Sequence, residues 1–172
     1  MKILIVGSGG REHALAWKIG KSRLIGKLYI APGNAGTALE GENVPINPSD
    51  FEAVRRAVAE LGIDLLVVGP EAPLVEGLHD FLAAQPELKK LRIVGPVKAG
   101  AMLEGSKDFA KEFMVRNNIP TARYRSFTKE TVREGKEFLE TFSPPYVLKA
   151  DGLAAGKGVL ILDNIKDARK EL

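Results

Sequence analysis

Cysteine is absent from the 172 residues, and histidine occurs only twice. The lack of cysteine excludes a disulfide framework, a thiolate metal site and a thiol nucleophile. Only His13 and His79 are available as imidazole ligands, and a zinc site usually needs three or four protein ligands. The sequence therefore argues against thiol chemistry and against a zinc enzyme.

Long apolar runs and a strong charge of one sign are also missing. Ile3–Val6 places four apolar residues before Gly7, too few for the core of a signal peptide. No apolar run approaches the length needed to span a membrane. The formal net charge is +3 and there is a single tryptophan, so nucleic-acid binding has little support. We therefore expect a cytoplasmic protein with small-molecule substrates and with no nucleic-acid or membrane partner.

The first part of the chain alternates short apolar runs with helical patterns. Four runs have the pattern of strands, each followed by glycine or proline: Ile3–Val6, Leu28–Ala31, Leu65–Val68 and Ile93–Val94. We expect Ile3–Val6 to be covered on both faces of the sheet and Leu65–Val68 to be the most buried strand. Helical patterns occupy the segments between and after these runs: Arg11–Ile19, a helix that Asp50 caps and that reaches Leu61, and Leu74–Ala84. This repetition of strand, turn and helix predicts a parallel α/β sheet with right-handed crossovers.

The pattern changes after about Met102, and we expect one domain over residues 1–102 and another over residues 103–172. The expected elements of the second domain are a helix capped by Ser106, a strand over Arg123–Phe127, an amphipathic helix over Glu130–Phe142 and a last helix capped by Asn164. The chain stops inside that last helix, so we expect it to be part of a longer protein.

The segment Tyr146–Leu162 carries the strongest chemical signal. Two apolar, β-branched runs flank a loop that combines glycines, an acid and two lysines: Gly152, Gly156 and Gly158, Asp151, and Lys149 and Lys157. Glycines let backbone N–H groups approach an anion, and lysines bring positive charge to phosphate oxygens. The combination predicts a hairpin flap that closes over a polyphosphate, most simply ATP.

A Walker A loop is an alternative that fits this segment poorly. That loop has four residues between its glycines, then lysine, serine or threonine, and a helix. Here three residues separate Gly152 from Gly156, glycine follows Lys157, and Val159–Leu162 resembles a strand. An ordinary tight hairpin rich in small residues is the other alternative.

Three glycine-bearing turns follow the predicted strands of the first domain, beginning at Gly7, Pro32 and Gly69. Ligands of open parallel sheets bind beyond the carboxyl ends of the strands. The first turn opens a helix, where free N–H groups and the helix dipole favour an anion, and Arg11 is suited to bind phosphate there. Glu71 in the third turn either binds an amine or is simply solvated.

A nicotinamide or flavin dinucleotide site is the competing interpretation of the first turn. The pattern Gly7-x-Gly9-x-x-Glu12 has only two of the three fingerprint glycines, and its third position is a carboxylate. The second strand should end in an acid that binds the ribose hydroxyls, yet it runs into Pro32. Both departures argue against an oxidoreductase.

Five segments, in this order, together resemble the glycinamide ribonucleotide synthetase (phosphoribosylamine–glycine ligase) family of the ATP-grasp superfamily: Gly7–Lys18, Ala31–Thr37, Val68–Val75, Leu103–Phe109 and Lys149–Gly158. The resemblance covers the whole chain. It implies an α/β fold in which a Rossmann-like parallel-sheet domain is followed by an incomplete ATP-grasp domain.

The resemblance also implies a reaction of de novo purine synthesis. ATP with Mg²⁺ or Mn²⁺ phosphorylates glycine, and the amine of 5-phosphoribosylamine attacks the glycyl phosphate, giving glycinamide ribonucleotide, ADP and phosphate. The metal ligands are expected in a C-terminal half that this chain lacks, so none is assigned here and the chain alone is expected to be inactive. No catalytic residue is assigned either.

By the same resemblance, residues of the second domain would bind ATP: Lys107, Lys149, Asp151, Gly152, Gly156, Lys157 and Gly158. Residues of the first domain would contact the ribose phosphate or the amine: Gly9, Gly10, Arg11, His13, Asn34 and Glu71. His13 has either a capping role or a substrate contact. Two other interpretations stay open, another ATP-grasp enzyme of purine synthesis and a non-catalytic nucleotide-binding module.

Overall fold

The computed structural model describes residues 1–154 and 157–172. They form two compact units, Met1–Met102 and Leu103–Leu172. Within the described residues, no helix is long and apolar enough to cross a membrane.

The first unit is built on a five-stranded sheet in which every neighbouring pair is parallel. Its strands are β1 (Lys2–Gly7), β2 (Lys27–Pro32), β3 (Glu42–Asn43), β4 (Leu65–Val68) and β5 (Arg92–Val94), in the spatial order β3-β2-β1-β4-β5. The chain winds outward from β1 in one direction through β3 and then returns to β4 on the other side. The point between β1 and β4 is therefore the topological switch point, where ligands of such sheets bind.

The central strand β1 is buried on both faces, which explains its unbroken apolar run. Leu4 and Val6 face one hydrophobic cluster, while Ile3 and Ile5 face another. Helical residues cover both sides of the sheet: Val54, Val58, Leu78 and Leu82 in the first cluster and Ala16 in the second. Helices therefore cover both faces of the predicted parallel sheet.

The helices of the first unit are α1 (Gly10–Gly20), α2 (Phe51–Leu61), α3 (Glu71–Glu76) and α4 (Leu78–Ala83). The next helix, α5 (Lys98–Gly105), includes the last residues of the first unit and the first residues of the second. Asp50 caps α2 as predicted, because its side chain accepts the N–H of Ala53 at 2.9 Å. The single helix predicted over Leu74–Ala84 is wrong. It is split between α3 and α4 at Gly77, whose φ of +108° is incompatible with a continuous right-handed helix.

The second unit contains α6 (Lys107–Arg116), α7 (Val132–Phe138), the antiparallel hairpin of β6 (Tyr146–Lys149) and β7 (Val159–Leu162), and α8 (Ile165–Glu171). Both predicted caps are confirmed. The side chain of Ser106 accepts the N–H of Phe109 at 3.1 Å, and that of Asn164 accepts the N–H of Asp167 at 2.9 Å. A small core around Leu139, Tyr146 and Ala168 joins the hairpin to α8.

The strand predicted over Arg123–Phe127 does not form. In the part of the chain that the structure describes, the segment pairs with no strand, and side-chain contacts hold it instead. The guanidinium of Arg123 lies 4.0 Å from the ring centre of Phe142, and that of Arg125 lies 5.3 Å from the ring centre of Phe127. The helix expected over Glu130–Phe142 is also shorter, because it begins at Val132 and its last turn tightens to a 3₁₀ turn over Leu139–Thr141.

Candidate functional site

The loops that follow β1 and β2 are joined by hydrogen bonds at the carboxyl edge of the sheet. The N–H of Gly33 donates to the carbonyl of Gly7 at 3.1 Å, and the side-chain amide of Asn34 donates to the carbonyl of Ser8 at 2.8 Å. The amide oxygen of Asn34 also accepts the N–H of Thr37 at 3.0 Å. Asn34, predicted to lie near the ribose, thus connects the two loops through both ends of its side-chain amide.

His13 seats the first turn of α1 against the loop after β2. Its half-buried imidazole fills the space above Gly36, where an added Cβ would lie 2.5 Å from its Cε1 atom. The backbone N–H of His13 donates to the carbonyl of Gly9 at 3.1 Å, inside the helix. The imidazole therefore packs between α1 and the neighbouring loop rather than capping the helix.

Arg11 links the loop after β1 to the loop after β4. Its guanidinium donates to the carbonyl of Gly69 at 2.6 Å and lies 3.7 Å from the carboxylate of Glu71. The side chain of Arg11 is 66% exposed and that of Glu71 is 44% exposed, so this ion pair adds little stability. Both charged groups are accessible beside Gly9 and Gly10, which are also exposed.

Glu12 is the functional candidate that the sequence interpretation did not include. It is 5% exposed, and its carboxylate accepts the N–H of Gly9 at 2.6 Å. Its side chain fills the space beside two glycines: an added Cβ would lie 2.5 Å from its Cγ at Gly7 and 2.6 Å from its Cδ at Gly69. The sequence feature that could have identified Glu12 is its place at the third glycine position of the pattern Gly7-x-Gly9-x-x-Glu12.

Asp151 sits at the N-terminus of α6 in the second unit. Its carboxylate accepts the N–H of Lys107 at 2.6 Å, the hydroxyl of Ser106 at 3.0 Å and the N–H of Asp108 at 3.3 Å. Partial burial acts to raise the pKa of Asp151. Hydrogen bonds from the backbone of Gly152, from these two N–H groups and from the Ser106 hydroxyl outweigh that effect and lower its pKa below the ordinary value.

The lysines of the predicted ATP site have different surroundings. The ammonium of Lys107 donates to the carbonyl of Gly152 at 2.7 Å, where Gly152 has a φ of +84°. Lys149 is exposed and pairs with Val159 at the loop end of the hairpin. Lys157 is also exposed. The structure therefore brings Lys107 and Asp151 together at the base of the loop.

Two glycines complete the predicted ATP loop. The carbonyl of Gly158 accepts the N–H of Ala150 at 2.8 Å, which extends the hairpin pairing by one residue. A Cβ at Gly158 would come within 2.8 Å of the Cβ of Ala154, so a glycine suits this position. Gly156 lies outside the described residues.

One face of the β6–β7 hairpin is apolar and exposed. The pairing of Val147 with Ile161 and of Lys149 with Val159 puts these four side chains on the same face. Val147 is 49% exposed and Ile161 is 68% exposed. A hairpin packed on one side usually presents polar residues on the other. This face, which the sequence interpretation did not assign, suits a flat apolar group next to a positive charge.

A shallow open groove of about 530 Å³ lies elsewhere in the first unit, at the amino edge of the sheet. It is lined partly by Lys27 and Glu42, whose side chains form an ion pair at 2.8 Å. None of the predicted site residues lines it. Within the described residues, no cluster of three or more histidine or acidic side chains could hold a metal ion.

Family comparisons agree with the resemblance carried by the motifs. Residues 1–104 match the N domain of phosphoribosylglycinamide synthetase, and residues 105–172 match the ATP-grasp (A) domain of the same enzyme. The chain is 50% identical over 170 residues to the phosphoribosylamine–glycine ligase of Haemophilus influenzae, covering 98% of this chain and 38% of that protein.

Solved structures agree as well. The phosphoribosylamine–glycine ligase of Thermotoga maritima has a TM-score of 0.76 at 40% identity, with 99% of this chain and 38% of that chain covered. Carboxyaminoimidazole ribonucleotide synthase of Aspergillus clavatus, solved with ATP, has a TM-score of 0.73 at 18% identity over 98% of this chain and 43% of that chain, which indicates a shared fold only. The predicted fold class and the predicted resemblance are confirmed, and the chain spans about 38% of the length of the ligases it matches. The chain therefore belongs to the phosphoribosylglycinamide synthetase family.

Proposed function

We propose that this chain supplies the phosphoribosylamine site and part of the ATP site of a ligase that joins glycine to 5-phosphoribosylamine. The products are glycinamide ribonucleotide, ADP and phosphate, formed through glycyl phosphate. One observation carries the proposal: identity to the Haemophilus influenzae ligase is 50% along 98% of this chain, so it extends through both units. We assign the ligation to the longer protein and expect the 172-residue chain to bind ligands without joining them.

In the first unit, the start of α1 suits the phosphate of the ribose. The N–H groups of Gly10 and Arg11 belong to the first turn of an 11-residue helix, where no carbonyl of the helix can accept them. No atom of the described residues lies within 4 Å of a Cβ placed at Gly10, so an anion has room to approach. The exposed guanidinium of Arg11 adds positive charge, and the nearby carboxylate of Glu71 suits the amine.

In the second unit, the hairpin suits the nucleotide. The apolar side chains of Val147, Val159 and Ile161 offer a surface for the adenine, and Lys149 on the same face can reach the phosphates. Lys107, together with the loop over residues 151–158, would stabilise the charge that spreads over a transferring phosphoryl group. These roles explain why glycine and lysine concentrate in one short loop.

Mg²⁺ or Mn²⁺ would accompany the nucleotide and neutralise phosphate charge during transfer. We expect its carboxylate and amide ligands in the part of the longer protein that this chain does not contain. We also expect the cytoplasm to be its compartment, as the sequence predicts.

Two alternatives have weaker support. Another ATP-grasp enzyme of purine synthesis would share the fold, but the carboxyaminoimidazole ribonucleotide synthase is only 18% identical to this chain. If the chain is instead part of a non-catalytic nucleotide-binding module, it should bind ATP without ever hydrolysing it. Adding the missing C-terminal portion in trans separates the two cases, because only the ligase would then cleave ATP in a glycine-dependent reaction.

The first test is calorimetric titration of the chain with glycinamide ribonucleotide, with NADH as the control ligand. We expect binding of glycinamide ribonucleotide that Arg11→Ala weakens about tenfold or more, because one charged phosphate contact is lost. Arg23→Ala removes an exposed arginine that lies between α1 and β2, away from the loops after β1, β2 and β4. This variant should bind glycinamide ribonucleotide as the wild type does. Binding of NADH alone, or no binding of glycinamide ribonucleotide, would contradict a phosphoribosyl site in this chain.

A further inference from the structure

Glu12 occupies an unusual position for a charged residue. Among the described residues it is the only acidic or basic side chain in the buried class, at 5% exposure. Burying a carboxylate is costly unless hydrogen bonds compensate for the lost water. This carboxylate lies at the switch point of the sheet, in contact with the ends of both β1 and β4, where ligands of this architecture bind.

The carboxylate uses the backbone donor that a dinucleotide would need. In dinucleotide-binding loops, the second glycine of the pattern lets the backbone approach the pyrophosphate. The equivalent residue here is Gly9, and its N–H already donates to Glu12 at 2.6 Å. The side chain of Glu12 also fills the space beside Gly7 and Gly69, so the crevice between their strands is closed from inside.

Room for an anion remains one residue further along the chain. The N–H groups of Gly10 and Arg11 have no hydrogen-bond acceptor among the described residues, and the space beside Gly10 is open. A single phosphate can be bound there by these donors and by Arg11. A second phosphate, continuing toward Gly9, would meet the negative charge of Glu12, and two like charges at such short range repel each other strongly.

We propose that Glu12 is a specificity-determining residue that limits this loop to ligands with a single phosphate group. Its carboxylate fills the position of a dinucleotide pyrophosphate and excludes that class of ligand. The inference rests on the proposed function only in naming the accepted ligand, a ribose 5-phosphate ester. The exclusion itself follows from the contacts of Glu12 with Gly9, Gly7 and Gly69.

Two probes that share the same phosphoribosyl group test the proposal. Ribose 5-phosphate has one phosphate, and ADP-ribose has a pyrophosphate on the same carbon. Both are titrated calorimetrically in the presence of saturating ATP, which occupies the proposed nucleotide site of the second unit. The proteins are the wild-type chain, Glu12→Gln, Glu12→Ala and the control Glu60→Ala, which removes an exposed glutamate of α2. The quantity compared is the ratio of the two affinities, because a general loosening of the loop would weaken both.

We expect the wild-type chain to prefer ribose 5-phosphate. Glu12→Ala should raise the affinity for ADP-ribose about tenfold, since the repelling charge and the bulk are both removed. Glu12→Gln, which keeps an acceptor for the N–H of Gly9, should raise it about threefold through loss of charge alone. Glu60→Ala should leave the ratio unchanged.

An unchanged ratio in folded Glu12→Gln and Glu12→Ala would overturn the proposal and leave Glu12 with a packing role. If Glu12→Ala does not fold, the Gln variant decides the question, because it preserves the shape and the Gly9 hydrogen bond. Failure of the proposed function is separately visible: the wild-type chain would not bind ribose 5-phosphate, while a gain of ADP-ribose binding in the variants would still support the exclusion.

Discussion

The carboxylate of Asp151 accepts the backbone N–H of Lys107 at 2.6 Å. The ammonium of Lys107 donates in return to the carbonyl of Gly152 at 2.7 Å. These reciprocal bonds attach the start of the glycine-rich loop to the N-terminus of α6. Two residues predicted to contact ATP therefore also hold each other in place.

Asp151→Asn should destabilise the chain by about 1 kcal/mol, because a negative charge at a helix N-terminus and its charged hydrogen bonds are lost. Thermal and urea unfolding of the second unit measure this change. Glu112→Gln removes the same charge from an exposed position within α6 and should have little effect. Equal stability of the two variants would contradict the anchoring role of Asp151.

The contribution of Asp151 should depend on pH. Its pKa is lowered in the folded state, so the folded chain favours the charged form more than the unfolded chain does. The stabilisation is therefore fully present above the unfolded pKa of about 4 and is lost as pH falls through the folded value. Unfolding free energies of wild type and Asp151→Asn should differ at pH 7 and converge below about pH 4. A constant difference across this range would disagree with the lowered pKa.

Gly69→Ala should disturb the loops of the first unit. The added Cβ would lie 2.6 Å from the Cδ of Glu12, so the buried side chain must move and its bond to Gly9 is lost. We expect a loss of about 1–3 kcal/mol of stability, as for overpacked sites, measured by urea unfolding. Gly20→Ala is the matched control, since its nearest neighbour would be 3.8 Å away, and it should be neutral or slightly stabilising. Similar losses in both variants would argue against the tight approach of Glu12.

Lys149→Met should weaken ATP binding about tenfold without changing stability. The side chain is exposed on the apolar face of the hairpin, so its removal costs little packing, while a phosphate contact is lost. Fluorescence or calorimetric titration with MgATP measures the affinity. Lys166→Met, on the exposed surface of α8, should bind as wild type does, and unchanged binding in Lys149→Met would remove this residue from the ATP site.

Part of the candidate site could be read from residue types and spacing. The loop glycines and Arg11 were assigned to an anion site because a glycine-rich turn before a helix has a local meaning. From the sequence, Glu12 was interpreted only as a departure from the glycine pattern of dinucleotide-binding loops. Its bond to Gly9, three residues earlier, is local, whereas its packing against Gly69, which lies 57 residues further along the chain, follows from the pairing of β1 with β4.

Features with local causes followed from residue types and their spacing along the chain. Continuous apolar runs specified the buried strands β1, β2 and β4. Asp50, Ser106 and Asn164 specified helix starts by accepting N–H groups three residues ahead. Features that need a partner distant in sequence became visible only in the folded chain. Arg123–Phe127 had a strand-like pattern but pairs with no strand of the described residues. Asp151 reached the N-terminus of a helix more than 40 residues earlier. Hydrogen-bond partners of this kind are set by the tertiary fold, because residues far apart in sequence become neighbours only when the chain folds. Spacing along the chain therefore does not predict them.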